Sequence, residues 1–265
     1  MLKIFTVDAF TDKMFSGNPA AVCLLDSDID EKLMLSIAAE MNLSETAFVK
    51  KLTDQEGFSL RWFTPKSEVE LCGHATLSAA HILWQEKMIR SDEEAVFLTV
   101  FKGKLTARNT DEGIELNFPV NVPAAAESFA ELESALGIKP VNLSVTDHHY
   151  IIEMNSEEDV SNVKPDFKAL EKLEKYGTII TAAAENKNYD FVSRFFAPVK
   201  GIPEDPVTGS AHCVLTPYWS KKLNKSSMKA FQASERGGYL KVTLKDDRVL
   251  ITGKALTVLS GQLFV

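Results

Sequence analysis

Arg61–Trp84 reads RWFTPKSEVELCGHATLSAAHILW, and a second stretch, Arg194–Trp219, reads RFFAPVKGIPEDPVTGSAHCVLTPYW. In both, a strand of the form Arg-aromatic-Phe-small-Pro leads through a polar connector to a Gly-polar-Ala step. An apolar run with helical spacing follows. Repeats are weighed first because they can decide a whole fold. Two copies at half-chain separation predict two similar domains that face each other, rather than a solenoid.

Each copy begins its predicted helix with a glycine, Gly73 in the first stretch and Gly209 in the second. The first N–H groups of a helix have no partner within it and carry partial positive charge, so they favour an anion such as a carboxylate. Glycine also lets a ligand approach this backbone closely. The matched pair predicts a binding site for a small acidic molecule in a cleft between the domains. Either glycine alone is equally consistent with a tight strand-to-helix turn.

Composition narrows the class of protein. The chain has 265 residues, enough for two domains that each bury a core, and its net charge of -8 argues against nucleic acid as a partner. No apolar run is long enough to span a bilayer, and the N-terminus lacks the layout of a signal peptide. We therefore expect a cytoplasmic protein. The three cysteines show no metal-binding spacing, so we expect no metal site.

The first half predicts a curved sheet around one central helix. The segment His74–Met88 is apolar on nearly all sides, which is typical of a helix buried within a sheet. Short stretches between Ala95 and Phe118 predict an antiparallel meander. Another helix is predicted at Asp26–Asn42, where acids open the segment and apolar residues recur at helical spacing.

The second half predicts the same kinds of structural elements. Helices are predicted at Glu127–Leu136 and Asp166–Tyr176, each closed by the glycine that follows it. Another is predicted at Ser210–Leu223, where Pro217 should kink the helix or interrupt its hydrogen bonding.

The segment Pro119–Pro123, which is short, proline-flanked and without periodicity, is the best candidate boundary between the halves. We expect one α+β domain at residues 1–118 and a second at residues 119–254. In one alternative, the C-terminal strand at residues 255–265 completes the first domain.

Glu45 is the first candidate for chemistry. It follows Leu43-Ser44 and precedes Thr46-Ala47-Phe48, so strand alternation allows it to lie on either face of a short strand. A solvated strand carboxylate is one interpretation. A glutamate beside an apolar wall, suited to shuttling a proton near neutral pH, is the other.

Asp205 and His74 are the other candidates. Asp205 precedes the second repeated helix and is either a helix cap or a site residue. His74 lies at the start of the first repeated helix, either as a proton carrier or as a histidine satisfied by the backbone. Glu204, beside Asp205, is expected to face solvent. The neighbouring histidines His148 and His149 are expected to be a solvated pair near a turn.

The repeats also contain arginines and cysteines that are candidates for chemistry. Arg61 and Arg194 are each interpreted either as a ligand for an acid or as the partner of a neighbouring carboxylate. A two-thiol racemase needs a cysteine at each helix start, but the counterpart of Cys72 is Thr208. We therefore exclude thiol racemisation and expect Cys213, one turn into the second helix, to be a core residue.

The chain lacks a dinucleotide fingerprint, a P-loop and a serine nucleophile elbow, so neither a nucleotide cofactor nor an acyl-enzyme is indicated. Two segments are turn-forming by composition, Gly17-Asn18-Pro19 and Arg236-Gly237-Gly238-Tyr239. Either is a candidate lining of the cleft.

Together these motifs resemble the PhzF family of phenazine-biosynthesis-like proteins. The resemblance is carried by the segments Val7–Phe10, Gly17–Ala20, Ser44–Phe48, Glu70–Thr76, Glu204–Ala211 and Arg236–Gly238, in that order. The stretch from Pro119 to Tyr189 contributes no matching motif. The resemblance implies a diaminopimelate-epimerase-like fold, with two pseudo-symmetric domains that each wrap a curved, mostly antiparallel sheet round a central helix.

The same resemblance implies a cofactor-free isomerase that is a homodimer. In the phenazine enzyme the reaction moves a proton within trans-2,3-dihydro-3-hydroxyanthranilate. The family's catalytic glutamate falls on Glu45, and its supporting histidine and aspartate fall on His74 and Asp205. Its substrate-binding backbone falls on Gly73, Gly209 and Ser210. We also expect Asn18, in the turn that is a candidate lining of the cleft, to bind substrate.

We therefore expect a cofactor-independent isomerase for a small carboxylate-bearing metabolite. A non-catalytic ligand-binding or regulatory protein on the same fold is one alternative. An epimerase using Glu45 and Asp205 as its two bases is the other.

Overall fold

The fold is described from a computed structural model covering residues 1–185 and 187–265. The chain forms two compact units, the first made of Met1–Asn117 with Ile251–Val265 and the second of Phe118–Leu250. Each unit combines a mostly antiparallel sheet with a few helices, so the protein is α+β. None of the helices in the described residues is long and apolar enough to cross a membrane.

The first unit is a sheet packed against a buried helix. Its elements are β1 (Leu2–Ala9), β2 (Asn18–Leu25), α1 (Glu31–Met41), β3 (Glu45–Lys51), β4 (Phe58–Phe63), β5 (Glu68–Val69), α2 (Gly73–Gln85), β6 (Ala95–Thr99), β7 (Gly103–Thr110), β8 (Gly113–Pro119) and, after the second unit, β18 (Ala255–Leu263). β8 contains the first unit boundary. β1 pairs with both β18 and β2, and β2 pairs in parallel with β3. The helix α2 contacts β1, β2, β3, β7 and β18, which explains why it is apolar nearly all round.

The second unit has the same kind of organisation. Its elements are β9 (Ala124–Ala126), α3 (Ala130–Leu136), β10 (Asn142–Val145), β11 (His149–Glu153), α4 (Glu157–Asn162), α5 (Phe167–Leu170), β12 (Gly177–Ala183), β13 (Phe191–Ala197), β14 (Ile202–Asp205), α6 (Gly209–Leu223), β15 (Ser227–Gln232), β16 (Gly238–Lys245) and β17 (Arg248–Gly253). β17 contains the second unit boundary. The central helix α6 packs against β15 and β16, and an apolar cluster under α3, α4 and α5 covers another face of the sheet.

Strand pairing shows which residues of the two units are equivalent in the internal repeat. Thr46 pairs with Phe63 across β3 and β4, and Thr178 pairs with Phe196 across β12 and β13. Because Phe63 and Phe196 are equivalent in the repeat, Glu45 is equivalent to Gly177. The parallel pairs agree, since Ala20 lies opposite Glu45 and His149 lies opposite Gly177.

The helix predicted at Asp166–Tyr176 is wrong. Only α5 is helical there, with the Asp166 side chain accepting the Ala169 N–H at 3.1 Å, and Gly177 begins the strand β12. A Cβ atom on Gly177 would lie 2.5 Å from Cδ2 of His149. The glycine therefore serves close packing between strands, not the end of a helix.

Two other helices differ from expectation in detail. α1 begins at Glu31, not at Asp26, because the Asp30 side chain caps it by accepting the Leu33 N–H at 2.7 Å. α6 is assigned as one helix through Pro217. Proline has no N–H to offer the Cys213 carbonyl, which instead accepts from Asn121 N–H at 3.2 Å.

Candidate active site

Glu45 is the first residue of β3, and its side chain is 12% exposed. Phe48 on the same strand packs with α1, so strand alternation turns Glu45 to the other face, which α2 covers. Of the two interpretations left open by the sequence, a solvated strand carboxylate does not fit this burial.

His74 contacts Glu45 directly. As the second residue of α2, it places Nε2 3.2 Å from Glu45 Oε2 and is almost fully buried. Its other nitrogen, Nδ1, lies 3.2 Å from the Asn18 amide nitrogen. The side chains of Glu45 and Asn18, not the backbone, therefore fix this imidazole.

The local fold explains why these three residues meet. The parallel pairing of β2 and β3 sets Ala20 opposite Glu45, so Asn18 begins the neighbouring strand two residues earlier. The helix α2 packs against both strands, with His74 in its first turn. Asn18, predicted as a substrate-binding residue, also supports His74.

A third neighbour of His74 is Cys72, whose Sγ lies 3.5 Å from His74 Nδ1 and affects the protonation of the imidazole. Burial raises the pKa of the Cys72 thiol to about 11, and the nearby Glu45 charge acts in the same direction. Burial opposes a charge on His74, but its Cys72 and Glu45 neighbours raise the pKa of the imidazole well above its ordinary value. The two neighbours therefore favour the protonated form of His74.

The amide of Asn18 suits either protonation state of His74. It carries both a donor and an acceptor, so it can face Nδ1 with or without a proton. The 3.2 Å contact between His74 Nε2 and Glu45 Oε2 is a charge contact rather than an aligned hydrogen bond. The cluster also has metal-binding potential, since one donor atom from each of Glu45, Cys72 and His74 lies within 4.8 Å of the others.

Asp205, in the second unit, is the last residue of β14 and is buried. Its Oδ2 accepts a hydrogen bond from the Thr208 hydroxyl. The N-cap position of α6 is held by Thr208, and its side chain makes no capping bond. Asp205 is therefore not the cap of α6.

Gln232 hydrogen-bonds to both Asp205 and Thr208. It was not among the site residues predicted from the sequence. Its Nε2 donates to the Asp205 carbonyl at 2.8 Å and to Thr208 Oγ1 at 3.1 Å, while its Oε1 accepts the Thr208 N–H at 2.9 Å. The signal was available, because alternation along β15 puts Gln232 on the same buried face as Met228 and Ala230. A polar residue at a predicted core position indicates a hydrogen-bond network.

The structure brings the predicted residues together within each unit. Asn18 and Glu45 contact His74, which follows Gly73 at the start of α2 in the first unit, and Asp205 lies just before Gly209 and Ser210, which begin α6 in the second. Gly209 is buried and Ser210 is exposed. In neither helix does the N-cap side chain bond to the first turn, as it would in an ordinary capped helix.

The two arginines of the repeat have a structural role. Arg61 makes a two-pronged ion pair with Glu68, at 2.6 and 2.7 Å, and Arg194 makes one with Glu204, at 2.7 and 2.9 Å. The expectation that Glu204 faces solvent is therefore wrong. The solvated histidine pair is also wrong in part, because His149 is buried while His148 is exposed.

Comparison with known proteins extends over nearly the whole chain. The family described as phenazine biosynthesis-like protein, PhzC-PhzF, matches residues 7–261. The chain belongs to the PhzF family. A relative from Halalkalibacterium halodurans, described as an uncharacterized isomerase, is 48% identical over 99% of this chain and 98% of its own length.

Solved structures agree with this family. A PhzF-family protein from Enterococcus faecalis has a TM-score of 0.94 at 39% identity, covering 100% of this chain and 99% of the other. A probable proline racemase from Agrobacterium radiobacter has a TM-score of 0.69 at 9% identity, covering 100% of this chain and 93% of the other. The second likeness shows only that this chain has the same fold as that protein. The predicted family and fold class are both confirmed.

Proposed function

We propose that this protein is a cofactor-independent isomerase that moves a proton within a small carboxylate-bearing molecule. Relatives described as isomerases support the general class. The observation that carries the proposal is the buried Glu45–His74 pair, with 3.2 Å between Oε2 and Nε2.

In the proposed reaction, Glu45 removes a proton from one substrate carbon. The electron pair of the broken C–H bond moves into a neighbouring double-bond system, and Glu45 returns the proton to another carbon of that system. No net oxidation occurs, so no redox cofactor is required. His74 Nε2–H supports the carboxylate form of Glu45, which is the form that accepts a proton.

The remaining predicted residues bind substrate in this proposal. The uncapped first turns of α2 and α6, at Gly73 and at Gly209-Ser210, suit a substrate carboxylate because N–H groups at helix starts favour anions. Asp205 positions and polarises the substrate. The Thr208 hydroxyl holds the carboxylate in one orientation, and Gln232 fixes the Asp205 backbone through its carbonyl, as positioning requires.

The test is proton NMR in deuterated water, with wild type beside Glu45→Gln. The panel contains trans-2,3-dihydro-3-hydroxyanthranilate, chosen from the family resemblance, together with small amino and hydroxy acids. Deuterium entering a substrate carbon with wild type alone is the expected result. General acid–base groups typically contribute about 100- to 10,000-fold, so Glu45→Gln should lose at least that much rate.

Other outcomes lead to specific revisions. Full activity of Glu45→Gln on a proven substrate would remove Glu45 from the mechanism. If deuterium enters other substrates but not the anthranilate, the phenazine step is excluded. If deuterium enters no compound of the panel while ligands still raise the melting temperature of the protein, a binding protein is favoured. The homodimer is also part of the proposal, and sedimentation equilibrium tests it.

A further inference from the structure

Three donor atoms of different chemistry meet in the first unit. His74 Nε2 lies 3.2 Å from Glu45 Oε2 and 3.9 Å from Cys72 Sγ, and all three donors lie within 4.8 Å of one another. Ligands around a tetrahedral zinc, with bonds of about 2.0–2.3 Å, are separated by roughly 3.4 Å for nitrogen and oxygen and 3.6 Å for nitrogen and sulfur. The nitrogen–oxygen separation is already close to its value. Cys72 Sγ lies nearer His74 Nδ1, at 3.5 Å, than Nε2, at 3.9 Å, so the Cys72 side chain must rotate to bring its sulfur to a metal on Nε2.

The donor set also suits zinc chemically. Thiolate, imidazole and carboxylate are the three protein ligands of zinc, and a site with three of them leaves a fourth position for water. Zinc displaces the thiol proton of Cys72 and the Nε2 proton of His74, both of which pass to solvent, after which the two anionic ligands neutralise the metal charge. This neutrality matters because the positive start of α2 disfavours a bare cation.

The surroundings of His74 can accommodate a metal on Nε2. A metal there leaves the proton on Nδ1, which faces the Asn18 amide at 3.2 Å. That amide carries an oxygen that can accept this proton after a flip about its final torsion. Partners of this kind orient a metal-binding imidazole.

We infer that Glu45, Cys72 and His74 form a site for an exchangeable zinc ion. This ion would act as an inhibitor and not as a cofactor, because it blocks the proton carrier Glu45. The inhibitory consequence rests on the proposed function, because the metal takes the Glu45 oxygen that would otherwise accept a proton. The binding step does not depend on it.

The experiment measures zinc binding to the metal-free full-length chain by calorimetry, with cobalt as a spectroscopic probe. Wild type should bind one zinc per chain with micromolar or tighter affinity, and its cobalt form should show a thiolate-to-cobalt charge-transfer band. Cys72→Ala should lose that band. Removing a direct ligand should also cost more affinity than the roughly 10- to 100-fold typical of an outer partner.

Controls separate this site from general thiol binding. Cys213→Ala removes a cysteine that is equally buried but lies in α6, and it should bind zinc as wild type does. Cys72→Ser keeps the side-chain volume, so it replaces Cys72→Ala if that variant is poorly folded. Glu45→Gln should also weaken binding.

Absence of stoichiometric zinc binding by wild type would overturn the inference. So would binding by Cys72→Ala within a few-fold of wild type. These readouts need no substrate, so they stand even if no isomerase activity is found. With a proven substrate, zinc should suppress deuterium exchange and a chelator should restore it. Tight zinc binding without suppression would overturn the inhibitory part.

Discussion

Glu45 in the first unit and Gly177 in the second occupy equivalent positions, each one residue before a matched strand pair. In the first unit a carboxylate meets His74 at this position. In the second unit there is no side chain, and the rings of His149 and Phe195 pack where a Cβ would lie. The repeat therefore duplicates the scaffold but not the candidate proton carrier.

The parts that are duplicated are those that hold the scaffold together. The Arg61–Glu68 pair and the Arg194–Glu204 pair are equivalent, and each guanidinium also lies over a phenylalanine ring. In each central helix the fourth residue donates to the carbonyl of the N-cap residue, through the Thr76 hydroxyl in α2 and through His212 Nδ1 in α6.

The carboxylates of the two units also differ in position. Asp205 pairs with Phe195 and is equivalent to Val69, which pairs with Trp62. Each unit thus has one candidate acid where the other has a neutral residue. This complementarity favours different roles for Glu45 and Asp205 over a symmetric pair of bases.

The largest stability effect should distinguish the two arginines. Arg194 also donates to the carbonyls of Val160 and Val163 at the end of α4, at 3.1 and 2.8 Å. Arg61 instead donates to a second carboxylate, that of the exposed Glu31, at 2.9 Å. Either variant leaves a partly buried carboxylate unpaired, Glu68 or Glu204, so the difference rests on the α4 carbonyls that lose their donor. A buried acceptor left unsatisfied costs about 1–3 kcal/mol. We expect Arg194→Met to lose about that much more free energy of unfolding, measured in urea, than Arg61→Met.

The double variant Arg194→Met/Glu204→Leu removes both charges and should recover part of the loss. Equal losses from the two single arginine variants would contradict the difference between the units.

The pH dependence of stability should separate the histidines. Burial and the neighbouring His148 lower the pKa of His149 to about 4, from an ordinary value of 6.5. Between these values the unfolded chain binds more protons, so His149 makes the protein less stable as the pH falls from 6.5 to 4. Its full contribution is roughly 3 kcal/mol. His74, with a raised pKa, acts in the opposite direction, stabilising below pH 6.5 and losing that effect as the pH rises through its folded value.

Urea unfolding of His149→Phe between pH 7 and pH 4 tests this. The variant should lose less stability on acidification than wild type, whereas His148→Gln, on the exposed neighbour, should retain most of the dependence. An unchanged slope in His149→Phe would show that His149 is not a neutral buried group.

A smaller effect is expected from filling the glycine position. In Gly177→Ala the new methyl group would meet His149 Cδ2 at 2.5 Å and the Phe195 ring at 3.0 Å. Such overpacking typically costs about 1–3 kcal/mol. Gly261→Ala is the matched control, since its nearest neighbour would be Leu259 Cδ2 at 4.0 Å. Thermal unfolding of the two variants should separate them, and a Gly177→Ala protein as stable as the control would mean that the second unit tolerates a side chain there.

The fold was predictable because its signals are local. The apolar runs that became α2 and α6 follow matched glycines, and the family motifs identify the fold. Gly177 was misassigned because its constraint comes from His149, a strand partner that no local pattern reveals. Glu204 was misjudged for the same reason, since Arg194 reaches it across two paired strands. Gln232 was missed although its alternation with Met228 and Ala230 placed it on a predicted core face.

The roles of the site residues stay predictions, and the asymmetry between Glu45 and Asp205 is the central claim. The direct test compares deuterium entry from solvent into a proven substrate, by NMR, for Glu45→Gln and Asp205→Asn. We predict that Glu45→Gln slows deuterium entry by at least about 100-fold, while Asp205→Asn still exchanges the substrate proton, with weaker binding or slower turnover. Exchange that persists in Glu45→Gln and disappears in Asp205→Asn would contradict this account.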